Sequence, residues 1–199
     1  MRTKDAVWIV LLFSAVLLTW AVKYFPYFPG DVSVMRLVQS ALPESKGWAR
    51  WLSSTAEMPQ VLALVAITFF LARAVAGWRA ALLSLVSFMG LLLLGRWLGP
   101  FISQPRPSPT LVQAAGSFSG SAFPSISALR YASTFGFLAA LAVLKTSGGL
   151  RWAIVLICSC LLFAVGIARL ALGAHWPSDV ALSYLIGFLW VTLLIRFTG

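Results

Sequence analysis

Trp152-Ala-Ile-Val-Leu-Ile-Cys-Ser-Cys-Leu-Leu-Phe-Ala-Val-Gly-Ile-Ala168, then Arg169-Leu-Ala-Leu-Gly-Ala-His-Trp-Pro177, then Ser178-Asp-Val-Ala-Leu-Ser-Tyr-Leu-Ile-Gly-Phe-Leu-Trp-Val-Thr-Leu-Leu-Ile195 is the stretch that decides the fold. Two apolar runs enclose a short segment with an arginine, the chain's only histidine and an aspartate. A helix crosses the hydrocarbon core with about 17 to 25 mostly apolar residues, so 152–168 and 178–195 read as spans joined by one polar loop. Working outward, four more runs have the same character: 6–22, 59–78, 80–98 and 126–144. The expectation is an all-α polytopic membrane protein, a six-helix bundle in which 1–199 form a single integral membrane domain. Composition agrees, with 60% apolar and only 10% charged residues, against about 25% charged in a soluble domain. Lipid is the expected solvent.

Fifteen Lys and Arg against five Asp and Glu give a net charge of +10. The basic residues stand singly between apolar runs, without the basic stripe that follows a phosphate backbone, so nucleic acid is not an expected partner. Arg2, Lys4, Arg73, Arg79, Lys145, Arg151 and Arg196 all flank spans on one side, which the positive-inside rule makes cytoplasmic. The first run resembles a signal peptide in its basic start, but no small-residue cleavage site follows it and it is taken as a span. Three loops then face outward: 25–58, 99–125 and 169–177. In the first, Asp31 to Leu42 repeats its apolar residues at three and four and is followed by Trp48 and Trp51. Such a segment suits an interfacial amphipathic helix and equally suits a helix packed on the protein. Cys158 and Cys160 project in different directions from one helix and read as small packing residues.

From residue 58 onward Asp179 is the only acid, four positions after His175. Ionisable groups near a membrane are costly and tend to serve a function; the plainer alternative is an interfacial histidine followed by a capping aspartate. Arg169 precedes His175 by six, and Pro177 suits the first helical turn of the last span. From that turn Asp179 is expected to accept one ring N–H of His175 and aim the other nitrogen outward. The second outward loop brings Gln104-Pro-Arg106-Pro107 and, after a Gly/Ser stretch, Phe123-Pro-Ser125-Ile-Ser127, with Ser125 the natural N-cap of the next helix. Arginines, a helix start and an oriented nucleophile on one face suggest a phosphate ligand.

At these residues the chain resembles the type 2 phosphatidic acid phosphatase superfamily, in its membrane-bound bacterial branch. That family carries Lys, six residues, Arg-Pro; then Pro-Ser-Gly-His; then Ser-Arg, five residues, His, three residues, Asp. The first motif matches at Arg106-Pro107, the second at Pro124-Ser125, and the third at Arg169, His175 and Asp179, with Ala168 in place of Ser. The resemblance implies that His175 is a nucleophile forming a phosphohistidine, with Asp179 as its catalytic partner. It also implies that Arg106, Arg169 and Ser125, with Ser127 as a hydrogen-bond donor, bind phosphate. Neither a metal nor a cofactor is implied, since arginines supply the positive charge.

The chain departs from the family at Gly99, where the Lys belongs, and at Ile126-Ser127, where Gly-His belongs. Arg96, one helical turn before Gly99, and Arg130, one turn into the next span, are possible auxiliary residues; each also fits an arginine snorkelling to the interface. A missing general acid typically costs about 10² to 10⁴ in rate, most where the leaving group is a basic alkoxide. The expected activity is therefore a lipid phosphatase or phosphotransferase at the outer face of the bacterial inner membrane, favouring pyrophosphate headgroups such as undecaprenyl pyrophosphate. The alternative is a catalytically silent relative that binds a phosphorylated lipid. The lipid bilayer and that lipid are the expected partners; protein partners are not legible.

Overall fold

The computed structural model describes residues 3–198; Arg2 of the basic pattern lies outside them, and so does the Lys4 side chain. All regular structure among the described residues is helical: α1 Thr3–Val22, α2 Asp31–Ser40, α3 Gly47–Ser54, α4 Gln60–Ile102, α5 Ile126–Tyr131, a π-helical turn Ala132–Gly136, α6 Phe137–Lys145, α7 Gly148–Ala171 and α8 Pro177–Ile195. Five of these stretches are long and apolar enough to cross a membrane: 5–22, 60–102, 126–145, 148–171 and 177–195.

The sequence reading separated 59–78 from 80–98, whereas one helical stretch of 43 residues covers both. At ~1.5 Å per residue it would reach about 65 Å if straight, twice a hydrocarbon core of ~30 Å. It is not straight. Ala76 (φ −142°, ψ 16°) and Gly77 (φ 80°, ψ −170°) leave helical geometry, and the second conformation is open in practice only to glycine. Packing shows the chain turning back there. Leu64 on the first limb joins Tyr131 and Phe135, while Leu94 on the second joins Leu129 and Ala132. Nearer the bend, Ala72 and Ala80 both meet Phe137 and Leu141. The two limbs thus run alongside α5–α6 in opposite directions, and the reversal falls between Arg73 and Arg79.

Within 126–145 the π turn has a local cause. The hydroxyls of Ser133 and Thr134 both donate to the Arg130 carbonyl, at 2.7 and 2.9 Å, and such back-bonding competes with the helix's own ladder. The widened turn lies against α8, where a Cβ on Gly187 would stand 2.4 Å from the Ala132 Cβ. The opposite end of α8 returns to the start of α1: Arg196 pairs with Asp5 at 3.4 Å, and Trp8 Nε1 donates to Thr192 Oγ1 at 3.2 Å. These termini, with Val191 and Ile195 packed beside Ala72 and Ala80, mark one end of the bundle. The loops between α4 and α5 and between α7 and α8 mark the other.

At that loop end α2 packs on α7 and α8. It buries Asp31, Met35 and Gln39, spaced by four along one face, and exposes Val34 and Leu37. Of the two arrangements open to this amphipathic segment, the structure has the one packed on protein. The two cysteines are free.

Candidate functional site

The spacing from Arg169 to His175 to Asp179 is the sum of two helix-end motifs. At the end of α7, Gly173 N–H donates to the Leu170 carbonyl and Ala174 N–H to the Arg169 carbonyl, both at 3.0 Å. With Gly173 at φ 69°, this is a Schellman cap. Glycine is required twice over, since a Cβ there would also lie 2.2 Å from the Gln113 carbonyl oxygen. At the start of α8, Trp176 N–H donates to Asp179 Oδ2 at 2.9 Å, closing the first turn from its third residue as in a capping box. Ala174 completes one cap and Trp176 opens the other. His175 is the single residue between them, and the six-residue reach of the Schellman turn brings it back beside the Arg169 side chain.

Two independent contacts select the same tautomer of His175. Its Nδ1 lies 2.5 Å from the Ala122 carbonyl oxygen, which can only accept, so Nδ1 carries the proton. Its Nε2 faces Arg106 Nη1 at 3.1 Å and Arg169 Nη2 at 3.2 Å, which can only donate, so Nε2 presents a lone pair. The ring is 2% exposed. Burial first, then the charges of Arg169 and Arg106, hold its pKa well below the usual 6.5, against the opposing pull of the Ala122 carbonyl. The imidazole is neutral at pH 7, as a nucleophile requires.

Arg106 is oriented by backbone oxygens. Nη1 donates to the Ala174 carbonyl at 2.6 Å, Nη2 to Ser119 at 3.1 Å and Nε to Gly120 at 3.3 Å. Burial lowers its pKa and the charge of Asp179 opposes this; a guanidinium stays cationic. Phe118 faces both guanidinium carbons, at 6.0 Å from Arg106 and 5.6 Å from Arg169, and the Arg169 Nε is buried with no partner among the described residues. Two cations and a neutral histidine therefore share one small volume. Among the described residues no group of three His, Cys, Asp or Glu comes together to hold a metal.

The remaining expected residues divide. Asp179 is fully buried, but its carboxylate caps α8 and the His175 ring proton goes to the Ala122 carbonyl instead. The sequence reading assigned that proton to Asp179; the cap wins because Trp176 N–H lies one turn away on the same chain. The Asp179 carboxylate also meets the Gln104 side chain. Ser125 caps α5 as expected, accepting from Ala128 N–H at 3.4 Å, and its own N–H is taken by Ser183 Oγ at 2.9 Å. Both groups are thus engaged inside the protein. Ser127 is buried in the following turn. Arg130 turns away to the Ala56 carbonyl at 2.5 Å, where Glu57 and Arg96 are its charged neighbours, and Arg96 itself is exposed.

Reading by sequence missed six contributors. Ala122 and the Ser119–Gly120 pair act through carbonyls, which no side-chain motif reveals. Phe118 had no signal at all. Asp31 and Gln39 did: both are polar, and both lie on the α2 face that Met35 shares. Asp31 Oδ1 accepts from Ser178 N–H at 2.9 Å and Oδ2 from the Ser178 hydroxyl at 2.6 Å.

With this geometry in place, comparisons with known proteins can be set beside it. The family model of the PAP2 superfamily matches residues 79–199. A search of curated proteins found no match. Among solved structures, the fold is similar to the crystal structure of the first transmembrane PAP2 type phosphatidylglycerolphosphate phosphatase from Bacillus subtilis. The TM-score is 0.73 at 21% identity, covering 93% of this chain and 94% of the other.

Proposed function

The chain belongs to the PAP2 superfamily, and on that premise we propose that it is a lipid phosphatase in which His175 attacks a phosphate headgroup at the outer face of the cytoplasmic (inner) membrane. The two limbs of α4 are read as separate crossings, which makes six spans and puts both termini in the cytoplasm with the basic flanks. The observation that carries the reading is the His175 Nε2 lone pair lying between the Arg106 and Arg169 guanidinium groups.

In the resting site those guanidinium N–H groups point at Nε2, where phosphorus must arrive. An incoming phosphate offers them anionic oxygens, far better acceptors than a neutral ring nitrogen, so binding and uncovering the nucleophile are one event. The Nε2 lone pair then forms a bond to phosphorus while the bond from phosphorus to the leaving oxygen breaks, its electron pair leaving with that oxygen. The phosphorylated ring carries positive charge, and the Ala122 carbonyl on Nδ1–H stabilises it. Water then attacks phosphorus, the N–P bond returns its pair to Nε2, and phosphate departs. A lipid acceptor in place of water gives transfer instead. Asp179 serves from behind, fixing the α8 start on which His175 is mounted.

Ser127 stands where the family has its acid, and a serine does not protonate a leaving alkoxide at neutral pH. A pyrophosphate lipid expels a phosphate monoester, a much weaker base, so substrates of the undecaprenyl pyrophosphate type are favoured over phosphatidic acid. The test measures phosphate release by purified protein on both substrates, beside Ser127→His. Faster turnover of the pyrophosphate is expected, with monoester hydrolysis rising by up to about 10² to 10⁴-fold in Ser127→His. Phosphate-lipid binding without turnover in either protein overturns the enzyme and leaves a binder of phosphorylated lipids.

A further inference from the structure

We propose that α2 is a positioning strap for the phosphate site, with Asp31 setting the His175 side and Gln39 setting the Arg169 side. The proposal rests on the function argued above. Residues 1–78 lie outside the stretch matched by the family model, so nothing in the family's motifs assigns α2 a part in the site.

Asp31 and Gln39 are two turns apart on the buried face of α2, 5% and 6% exposed. Between them they hold both ends of the segment that carries Arg169 and His175. Pro177 has no N–H, so Ser178 offers the first free amide of α8. Asp31 takes it through Oδ1, and its Oδ2 takes both the Ser178 hydroxyl and, at 2.8 Å, Phe28 N–H. A carboxylate at that place also suits the positive end of the α8 dipole. Gln39 works at the other end. Its Nε2 donates to the Leu170 carbonyl at 3.1 Å and to the Gln113 carbonyl at 2.8 Å, while its Oε1 accepts from Gln113 N–H at 3.0 Å. Leu170 follows Arg169 directly. Gln113 carries the carbonyl against which Gly173 is packed, and the neighbouring backbone closes with Ala115 N–H on the Leu172 carbonyl at 3.0 Å.

Apart from the Ser178 hydroxyl and Phe28 N–H, each contact is to backbone of the segment that carries Arg169 and His175 or of the loop packed on it, and none reaches the His175 ring. A helix bought only for stability would bury apolar side chains here; this one buries a carboxylate and an amide whose hydrogen-bonding groups point at that loop. The two residues have distinct effects. Asp31 fixes the helix start three residues after the nucleophile, so its loss misaims Nε2 and lowers kcat. Gln39 fixes the helix end beside Arg169, so its loss loosens a phosphate contact and raises KM.

The experiment uses the full chain in lipid nanodiscs, with Asp31→Ala, Asp31→Asn, Gln39→Ala and, as a control on the exposed α2 flank, Leu37→Ala. Steady-state kinetics on a pyrophosphate lipid is paired with backbone hydrogen exchange. Asp31→Ala is expected to lower kcat on the order of 10²-fold, the scale of a small misplacement of a reacting group, with KM little changed. Asp31→Asn keeps an oxygen for the Ser178 amide and should recover most of that loss. Gln39→Ala should act chiefly on KM, and Leu37→Ala on neither. Exchange should quicken at 173–180 in Asp31→Ala and at 112–115 and 170–174 in Gln39→Ala, with α1, α6 and the rest of α7 unchanged.

Wild-type kcat and KM in both alanine variants would overturn the strap, as would losses that track the unfolding temperature across the whole series. If the wild-type protein releases no phosphate from any lipid, the phosphatase reading fails by itself. The exchange pattern then decides the strap: unchanged exchange in both loops rejects it, and changes confined to those loops retain it.

Discussion

Two pairs of arginines toward the loop end of the bundle are unlike. Arg106 and Arg169 meet on one histidine nitrogen; Arg130 reaches the Ala56 carbonyl, with Arg96 as a charged neighbour on an exposed helix face. The difference comes from the backbone around them. Inside a helix each carbonyl is already taken by the amide four residues on, so Arg130 finds its acceptor on another segment, at the Ala56 carbonyl, and Arg96 lies exposed. Arg106 sits among irregular segments whose carbonyls are unclaimed, and Ser119, Gly120 and Ala174 aim its guanidinium at a fixed point. Loop carbonyls aim Arg106, and the capped last turn of α7 carries Arg169 to the same point.

The severest way to break this contrast is to remove the point on which the first pair converges. His175→Gln is expected to lower phosphate release by about 10⁴-fold or more, the scale of losing a nucleophile, while the protein still binds lipid phosphate through both arginines. Rates within tenfold of wild type would place the chemistry elsewhere.

Arg169→Gln should lower kcat/KM by about 10² to 10³, as for one preorganised donor to a developing anion, and it should also move the pH profile. Nε2 attacks only when unprotonated. Since the His175 pKa is held below 6.5, the wild-type acid limb begins below pH 6.5 and activity falls as pH drops through it. Removing the Arg169 charge takes away one cause of that depression, so the limb shifts upward toward 6.5. Measuring both proteins on one substrate cancels the substrate's own titration. A limb that stays in place, or moves down, would show that Arg169 does not act on His175.

The smallest effect tests the second pair. Arg96→Gln and Arg130→Gln should each change kcat/KM by less than about tenfold, and less at high salt, because charges beyond contact are screened over about 8 to 10 Å. A loss matching Arg169→Gln in either variant would merge the two pairs into one site.

Legibility follows the range of the interaction. Runs such as 152–168 and 178–195 declare helices because a bilayer demands a long apolar stretch whatever its neighbours do. The Ser125 N-cap and a capping Asp179 were within reach because each closes inside a few residues of chain; the Schellman cap at Gly173 was not anticipated. The reversal near Arg73 and Arg79 was anticipated from the lengths of the two apolar runs, yet the bend itself falls at Ala76–Gly77, where the backbone conformation needs glycine.

The chain's own order determined that this protein is helical and lipid-embedded, and that Arg169, His175 and Asp179 lie at one helix-to-helix junction. Only the tertiary structure decided what those residues touch. The His175 proton goes to Ala122, 53 positions away, not to Asp179. Asp31 reaches Ser178 across 147 positions, turning a segment that could have lain on lipid into a support for the site. Hydrogen bonds of this kind end on carbonyls and amides that every residue possesses, so no residue type announces them. Their partners are chosen only when helices packed elsewhere in the chain bring two stretches of unpaired backbone or side chain into reach.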